Sequence, residues 1–223
     1  MSPLPKLLLL LSALLTSFTI TAASQTATRP TLSYSTFLSA SSNTTVTASA
    51  IDANGYQYVT GYTTATDFPT TSGAYNRTPT KSAYSSSGYQ TMFVTKFNRT
   101  GTALVYSTLI GNLVPAGIAV DRSGNAYVIA IAAAPPWTAP TTSGAWRTSC
   151  LSSTGQCAYL LKLNSAGSAL AYSTSLTGKD CGFDPTTHSQ QGITFTAVAV
   201  DATQHAYVLG IAGPGCYTTS GAY

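Results

Sequence analysis

The sequence predicts an all-β protein built from repeats of four short antiparallel strands. Three observations lead to this fold class. The 223 residues include only six Asp and no Glu, so the chain lacks much of the charge that usually covers the exposed faces of helical bundles. Ser and Thr contribute 64 residues and Tyr 14, with 18 Gly and 11 Pro, which is typical of short strands joined by turns. Finally, several short motifs recur in the same order along the chain.

The first element, residues 1–23, is predicted to be a secretory signal peptide, and residues 24–31 a linker. Lys6 supplies the positive n-region, residues 7–15 the apolar h-region, and small residues allow cleavage near Ala23. The alternative is an uncleaved anchor, but the apolar run is short for a bilayer span, and no later stretch approaches one. We therefore expect a secreted or cell-surface protein with no stable membrane span after cleavage.

Residues 32–223 contain the repeats. Tyr-Ser-Thr occurs three times, beginning at Tyr34, Tyr106 and Tyr172. An apolar residue and Asp, followed by a turn and Tyr-Val, occur at residues 51–59, 120–128 and 200–208. Thr-Thr-Ser-Gly-Ala-aromatic follows at residues 70–75, 141–146 and 218–223. A Lys-containing segment that runs on to Gly-x-Ala-Leu occurs at residues 93–104 and 159–170. Such recurrence indicates one supersecondary unit used repeatedly.

Each repeat is expected to form two hairpins. The recurring Asp caps a turn with its carboxylate, and the Gly of Asp-x-x-Gly takes the positive-φ position. Asn-x-x-Gly makes a second hairpin in the same way. In the second unit the strands are predicted near residues 117–121, 126–131, 158–163 and 169–174. The segments between second and third strands, near residues 63–91 and 132–156, are rich in Pro, Ser, Thr and Gly and are predicted to be loops.

Four antiparallel strands with a long loop always after the second describe the blade of a β-propeller. The motif set resembles the SBBP repeat, a bacterial β-propeller repeat. The match is carried by the Tyr-Ser-Thr strand and by residues 67–71, 93–96 and 118–128. It covers nearly everything from about Leu32 to Tyr223 and implies an exported or cell-surface bacterial protein with no established catalytic residues. Departures from the pattern are residues 45–50, Gln204-His205 and the cysteine-containing inserts.

The repeat arithmetic predicts an incomplete ring. The units are residues 32–104, 105–170 and a truncated 171–223, and a lone strand at residues 32–38 precedes the first full set of four strands. Closed propellers usually have about four to eight blades, which is more than these units supply. We expect a fragment of a longer propeller, and the alternative is a part-propeller completed by self-association.

The cysteines are expected to form two disulfides in an oxidising compartment, because they are even in number and lie in the C-terminal half: Cys150, Cys157, Cys181 and Cys216. Of three possible pairings we favour Cys150–Cys157, a local staple, and Cys181–Cys216, a link between loops. A zinc site is the rival interpretation, but the chain has no Cys-x-x-Cys pair and only two His.

No catalytic residue, cofactor or metal is predicted. The recurring Asp residues fit turn caps better than calcium ligands: Asp52, Asp121 and Asp201. One dense cluster, residues 179–188, supplies Asp180, Asp184 and His188 as candidates for acid–base chemistry. Its other interpretation is a disulfide-anchored loop with solvated charges. The recurring Tyr residues are expected to pack between blades, whereas the loop residues Tyr84, Trp137 and Trp146 are candidates for ligand contact.

The predicted function is an exported, non-catalytic β-propeller repeat protein that serves as a binding or scaffold surface at the cell envelope. Its loops would contact a protein or a glycan. The alternatives are an extracellular propeller hydrolase or lyase that uses the Asp180–His188 loop, and a non-functional gene fragment. Because the positive charges are scattered and form no basic stripe, we expect no nucleic-acid partner.

Overall fold

The computed structural model describes residues 32–82, 90–132, 139–150, 157–177, 183–184, 189–190, 194–212, 216 and 218–221. Residues Ser33–Tyr223 form one unit, which carries the secondary structure given below. All regular elements of the described residues are β-strands, as the composition predicts. None of these residues belongs to a helix with the length and hydropathy that a membrane crossing requires.

Two four-stranded antiparallel sheets follow each other along the chain. The first contains β1 (Thr44–Ile51), β2 (Gln57–Thr63), β3 (Thr91–Phe97) and β4 (Leu104–Ile110), paired in that order. The second contains β5 (Leu113–Val120), β6 (Ala126–Ala132), β7 (Ala158–Leu163) and β8 (Leu170–Ser175), paired in the same way. These elements confirm the predicted four-stranded unit and both long loops.

Four further strands complete the described part of the chain. β9 (Phe183–Asp184) and β10 (Ser189–Gln190) form a two-stranded ribbon that the sequence pattern did not predict. β11 (Thr194–Val200) and β12 (Ala206–Ile211) form the third sheet. The three main sheets do not close into a ring within the residues that the structure describes, in agreement with an incomplete propeller-like fold.

The first strand of every main sheet carries a β-bulge at the same repeat position. The pairing register shifts between Val46 and Ala48, between Pro115 and Gly117, and between Phe195 and Ala197. A bulge increases the local twist of a strand, and it also accommodates Pro115 in a strand that lies at the edge of its own sheet. The repeats therefore share this irregularity of the backbone as well as their sequence motifs.

The core lies between successive sheets. β5 packs on β1 and β2, and β11 packs on β5 and β6, so the sheets meet mainly through their first two strands. The largest cluster joins one face of the first sheet to the opposite face of the second through Tyr58, Val94, Tyr106, Ile118, Val128 and Leu161. Tyr58, Tyr106 and Tyr127 are at most 2% exposed, which confirms the predicted packing between sheets at these positions. Tyr172 is half-buried, and Tyr207 is 59% exposed, so the prediction is wrong for Tyr207.

Residues 32–38, predicted to be a strand, have no regular structure. A strand needs a neighbour for its backbone hydrogen bonds, and no described strand pairs with this segment. Its side chains nevertheless pack on the first sheet: Leu38 and Ala40 contact the cluster of Val59, Phe93 and Leu109. The Tyr34 ring lies over Gly101, as the Tyr106 ring lies over Gly167 in the next sheet. The segment thus occupies the position of an outer strand without being one.

The long loops fold back along β4 and β8, the fourth and outermost strands of the first two sheets, which we call the outer strands. In the first sheet, Thr71 N–H donates to the Ser107 carbonyl (3.1 Å) and Leu109 N–H donates to the Asn76 carbonyl (2.9 Å). The second sheet repeats this arrangement along β8 with Thr142, Arg147, Ser173 and Ser175. The recurring Thr-Thr-Ser-Gly-Ala motif therefore covers the edges of β4 and β8.

The Cys150–Cys157 disulfide is present, with a Cα–Cα distance of 5.7 Å, and it closes the end of the second long loop. This confirms the predicted local staple. Cys216 is also disulfide-bonded. Its predicted partner Cys181 lies outside the described residues, so that pairing stays a prediction.

Candidate functional site

Asp121 organises the best-defined polar cluster of the described chain. One carboxylate oxygen accepts hydrogen bonds from the N–H groups of Ser123 and Asn125, both at 2.9 Å. The other oxygen accepts from the Tyr127 hydroxyl at 3.1 Å and lies 3.5 Å from Lys162 Nζ. The Asp121 side chain is 1% exposed and that of Lys162 12%, so the cluster is a buried ion pair at the end of a hairpin. The predicted turn cap is confirmed.

A similar cluster recurs in the other two sheets, with a more exposed carboxylate in each. Asp52 caps its turn through Asn54 and Tyr56 N–H groups and lies 3.9 Å from Lys96 Nζ. In the third sheet Asp201 Oδ2 accepts from the Tyr207 hydroxyl at 3.0 Å, and His205 Nδ1 lies 3.2 Å from the same oxygen. The three clusters lie at equivalent hairpins, which connect the first and second strands. These hairpins lie at one end of the strands of each sheet. We call this the turn edge.

The turn edge also joins neighbouring sheets. The Tyr58 hydroxyl lies 3.3 Å from the Gly124 carbonyl oxygen of the next sheet, and the Tyr127 hydroxyl lies 3.4 Å from that of Gln204. Lys162 Nζ donates to Gln204 Oε1 at 2.7 Å. Gln204 adopts a positive φ of 70°, a conformation taken by Gly at the matching position of the other turns. Its side chain supplies this contact, which a glycine could not make.

The electrostatics of the cluster follow from burial and hydrogen bonding. Burial opposes ionisation of Asp121, but hydrogen bonds from Asn125, Tyr127 and Ser123 outweigh it and hold the pKa of this carboxyl below its ordinary value. Burial, the hydrogen bond to Asp121 and its charge raise the pKa of Tyr127 to about 12. Burial lowers the pKa of Lys96, and the charge of Asp52 opposes that change. At neutral pH the Asp121 carboxylate is therefore ionised and the Tyr127 hydroxyl is neutral, so the hydroxyl can donate to the carboxylate and stabilise the turn.

Two buried tyrosines allow a direct test of this arrangement. The Tyr106 hydroxyl is buried and has no hydrogen-bond partner among the described residues, whereas that of Tyr127 is bonded to Asp121. An unsatisfied buried hydroxyl costs roughly 1–3 kcal/mol. We expect Tyr106→Phe to leave the free energy of unfolding unchanged or raise it, and Tyr127→Phe to lower it by about 1 kcal/mol. Urea denaturation of both variants measures the difference, and equal losses in the two would contradict the assignment.

The candidate acid–base residues are described only in part. Asp180 and His188 lie outside the described residues. Asp184 is in β9, where its backbone pairs with Ser189, and its side chain is not described. The other histidine, His205, contacts Thr203 Oγ1 at 2.8 Å and Asp201 through the same ring nitrogen, so these contacts belong to the turn. Within the described ranges, no group of three His, Cys, Asp or Glu side chains could hold a metal ion.

The opposite edge of the sheets carries the long connections, and we call it the loop edge. Because the strands are antiparallel, the β2–β3, β6–β7 and β8–β11 connections all leave from this edge, at residues 64–90, 133–157 and 176–193. Of the three loop aromatics predicted to meet a ligand, Tyr84 and Trp137 lie outside the described residues. Trp146 is 56% exposed, and the guanidinium carbon of Arg147 lies 4.6 Å from its ring centroid.

A cleft of about 260 Å³ lies between residues 36–39 and the β3–β4 hairpin. Phe37, Leu38, Phe97 and Leu104 line it together with Thr, Ser, Gly and Pro residues, and none of its lining residues is titratable. Its chemistry suits a small apolar group and offers neither a general acid nor a general base. It is therefore not a candidate catalytic site.

The comparisons with known proteins agree with the repeat geometry. Residues 105–130 match a family model described as the SBBP beta-propeller repeat. This segment spans most of β4, all of β5 with its bulge, the Asp121 turn and most of β6. A search of curated proteins found no match. The segment that contains the Asp121 turn is therefore similar to an SBBP β-propeller repeat.

Proposed function

We propose that this chain is an exported, non-catalytic β-propeller repeat protein that serves as a binding or scaffold surface at the cell envelope. In this proposal the loop edge contacts a protein or glycan ligand. The observation that carries this proposal is that the turn edge and the loop edge differ in structure. The carboxylates and lysines of the turn edge are engaged in turn caps and inter-sheet contacts, while the long connections leave from the loop edge.

The architecture supports a binding role because it anchors long loops on rigid strands. The first two loops are tied to β4 and β8 by backbone hydrogen bonds, and the second is closed by the Cys150–Cys157 disulfide. A loop held in one conformation loses less entropy when it binds a ligand. Trp146 adds an exposed aromatic surface of the kind that packs against sugars and side chains.

Binding by the full chain to defined glycans and to fractionated cell-envelope material tests the proposal. Trp146→Ala and the paired Cys150→Ser and Cys157→Ser changes should each weaken binding at least tenfold, since they remove a contact surface and a loop constraint. Val105→Ala is the matched control, because Val105 is exposed but lies on a strand close to the turn edge. Binding that is unchanged by both loop variants would refute the assignment to the loop edge.

The enzyme alternative and the export step need separate measurements. Loss of a measurable hydrolase or lyase activity in a double Asp184→Ala and His188→Ala variant would favour catalysis. Export predicts that the mature protein in the culture medium or on the cell surface begins near residue 24, which N-terminal sequencing can establish. An intracellular protein that keeps Met1 would contradict the secreted location.

A further inference from the structure

The outer face of the third sheet is apolar and exposed. Tyr207, Leu209 and Ile211 alternate along β12 and therefore point to one side, and they are 59%, 67% and 72% exposed. We call these three residues the Tyr207 face. The residues at the first two matching positions in the preceding sheets are fully buried: Tyr58, Thr60, Tyr127 and Ile129. In those sheets the next sheet along the chain covers the face.

The first sheet is exposed on its opposite side. Val46 and Ile51 are 50% and 70% exposed, and we call these residues with Ser49 the Ile51 face. At the matching positions of the second sheet, Pro115 and Ile118 are buried against the first sheet and Val120 is half-buried. Gly55 is exposed, whereas its counterpart Gly124 is buried where it meets Tyr58. The Ile51 face is thus the surface on which a preceding sheet would lie.

The strands that form the Tyr207 face are those that are missing beside the Ile51 face among the described residues. Residues 33–40 already occupy the place of a fourth strand beside the first sheet. Among the residues that the structure describes, no pair of strands covers the exposed Val46 and Ile51 of β1 in the way that the first sheet covers β5. The third sheet consists of β11 and β12, which correspond to the first two strands of the repeat. We call these two the inner strands. Since successive sheets meet mainly through their inner strands, β11 and β12 carry the surface that such a contact needs.

We propose that a second copy of this chain docks head to tail, with its Ile51 face on the Tyr207 face of the first. β1 of the second copy then lies against β11 and β12, as β5 lies against β1 and β2 within one chain. The Tyr207 hydroxyl reaches the carbonyl of Gly55 in the second copy. This contact repeats those of Tyr58 with Gly124 and of Tyr127 with Gln204. The interface is heterologous, because each copy contributes a different surface.

Sedimentation equilibrium of the full chain over the micromolar range tests the proposal. The unmodified protein should associate with increasing concentration. Leu209→Lys and Ile51→Lys should each weaken association at least tenfold, because each places a charge in the interface while altering a side chain that is exposed in the single chain. Val105→Lys changes an exposed apolar residue outside both faces and should associate normally. Circular dichroism confirms that each variant is folded.

Mixing the two interface variants distinguishes head-to-tail docking from a symmetric contact. Leu209→Lys keeps an intact Ile51 face and Ile51→Lys keeps an intact Tyr207 face, so an equimolar mixture should form a dimer that neither variant forms alone. A chain that stays monomeric, a mixture that stays monomeric, or a Val105→Lys variant as impaired as the other two would each overturn the proposal.

Discussion

Gly167→Ala is expected to lower the free energy of unfolding by roughly 3 kcal/mol, because it adds both backbone strain and overpacking. Gly167 has a φ of +70°, and a Cβ built on it would lie 2.4 Å from the Tyr106 ring. That ring is 2% exposed and is held in the core between the first two sheets, so it cannot move aside cheaply. Its displacement would disturb the contact between the sheets. Urea denaturation followed by tyrosine fluorescence and circular dichroism measures the loss.

Gly144→Ala provides the matched control. Gly144 has a φ of +79°, but nothing lies within 4 Å of the position that a Cβ would take. Backbone strain alone should cost about 1–2 kcal/mol. The difference between the two variants isolates the contribution of the Tyr106 ring. If both lost the same free energy, the close packing of Tyr106 on Gly167 would not stabilise the sheet contact.

Asp121→Ala is expected to lower the free energy of unfolding by about 3 kcal/mol, because it leaves Lys162, whose side chain is only 12% exposed, without its counter-charge. It also removes the acceptor for two turn N–H groups and for the Tyr127 hydroxyl. Lys162 keeps its hydrogen bond to Gln204, which limits the loss. Thermal and urea unfolding of the variant measure the effect.

Asp201→Ala tests whether burial sets the size of this effect. Asp201 caps its turn through the same set of N–H groups and a tyrosine hydroxyl, but its side chain is 33% exposed, against 1% for Asp121. We expect a clearly smaller loss of stability, since solvent can replace the missing carboxylate. An equal loss at both positions would show that turn capping, rather than the buried ion pair, accounts for the stabilisation.

The second, third and fourth strands of the second sheet could be predicted from the sequence almost to the residue, whereas β5 begins at Leu113, before the predicted start near residue 117. The third strand was expected at residues 158–163, which is where β7 lies, and the second at 126–131 against Ala126–Ala132. The signals are local: a carboxylate that caps a turn, and a Gly that takes positive φ. The Cys150–Cys157 staple is local as well, because the two cysteines are only seven positions apart in the sequence.

Features that depend on distant neighbours could not be predicted in the same way. The Tyr-Ser-Thr motif at Tyr34 is the same as the one in β4, and yet residues 32–38 are irregular because no described strand pairs with them. The ion pair of Asp121 with Lys162 requires the register that places Lys162 opposite Tyr127. A signal was present, since Lys96 and Lys162 recur at one position of the third strand, but its partner depends on that pairing.

The covered outer strands have a consequence for how such a chain can change in evolution. The Thr-Thr-Ser-Gly-Ala segment of each complete unit occupies the free hydrogen-bonding edge of its own fourth strand. At that edge the sheet cannot readily recruit a strand from another molecule, which is the usual first step toward amyloid-like aggregates. Duplication of a whole unit would therefore add a sheet that brings its own edge protection. The array can lengthen by face-to-face stacking without sideways growth at its fourth strands.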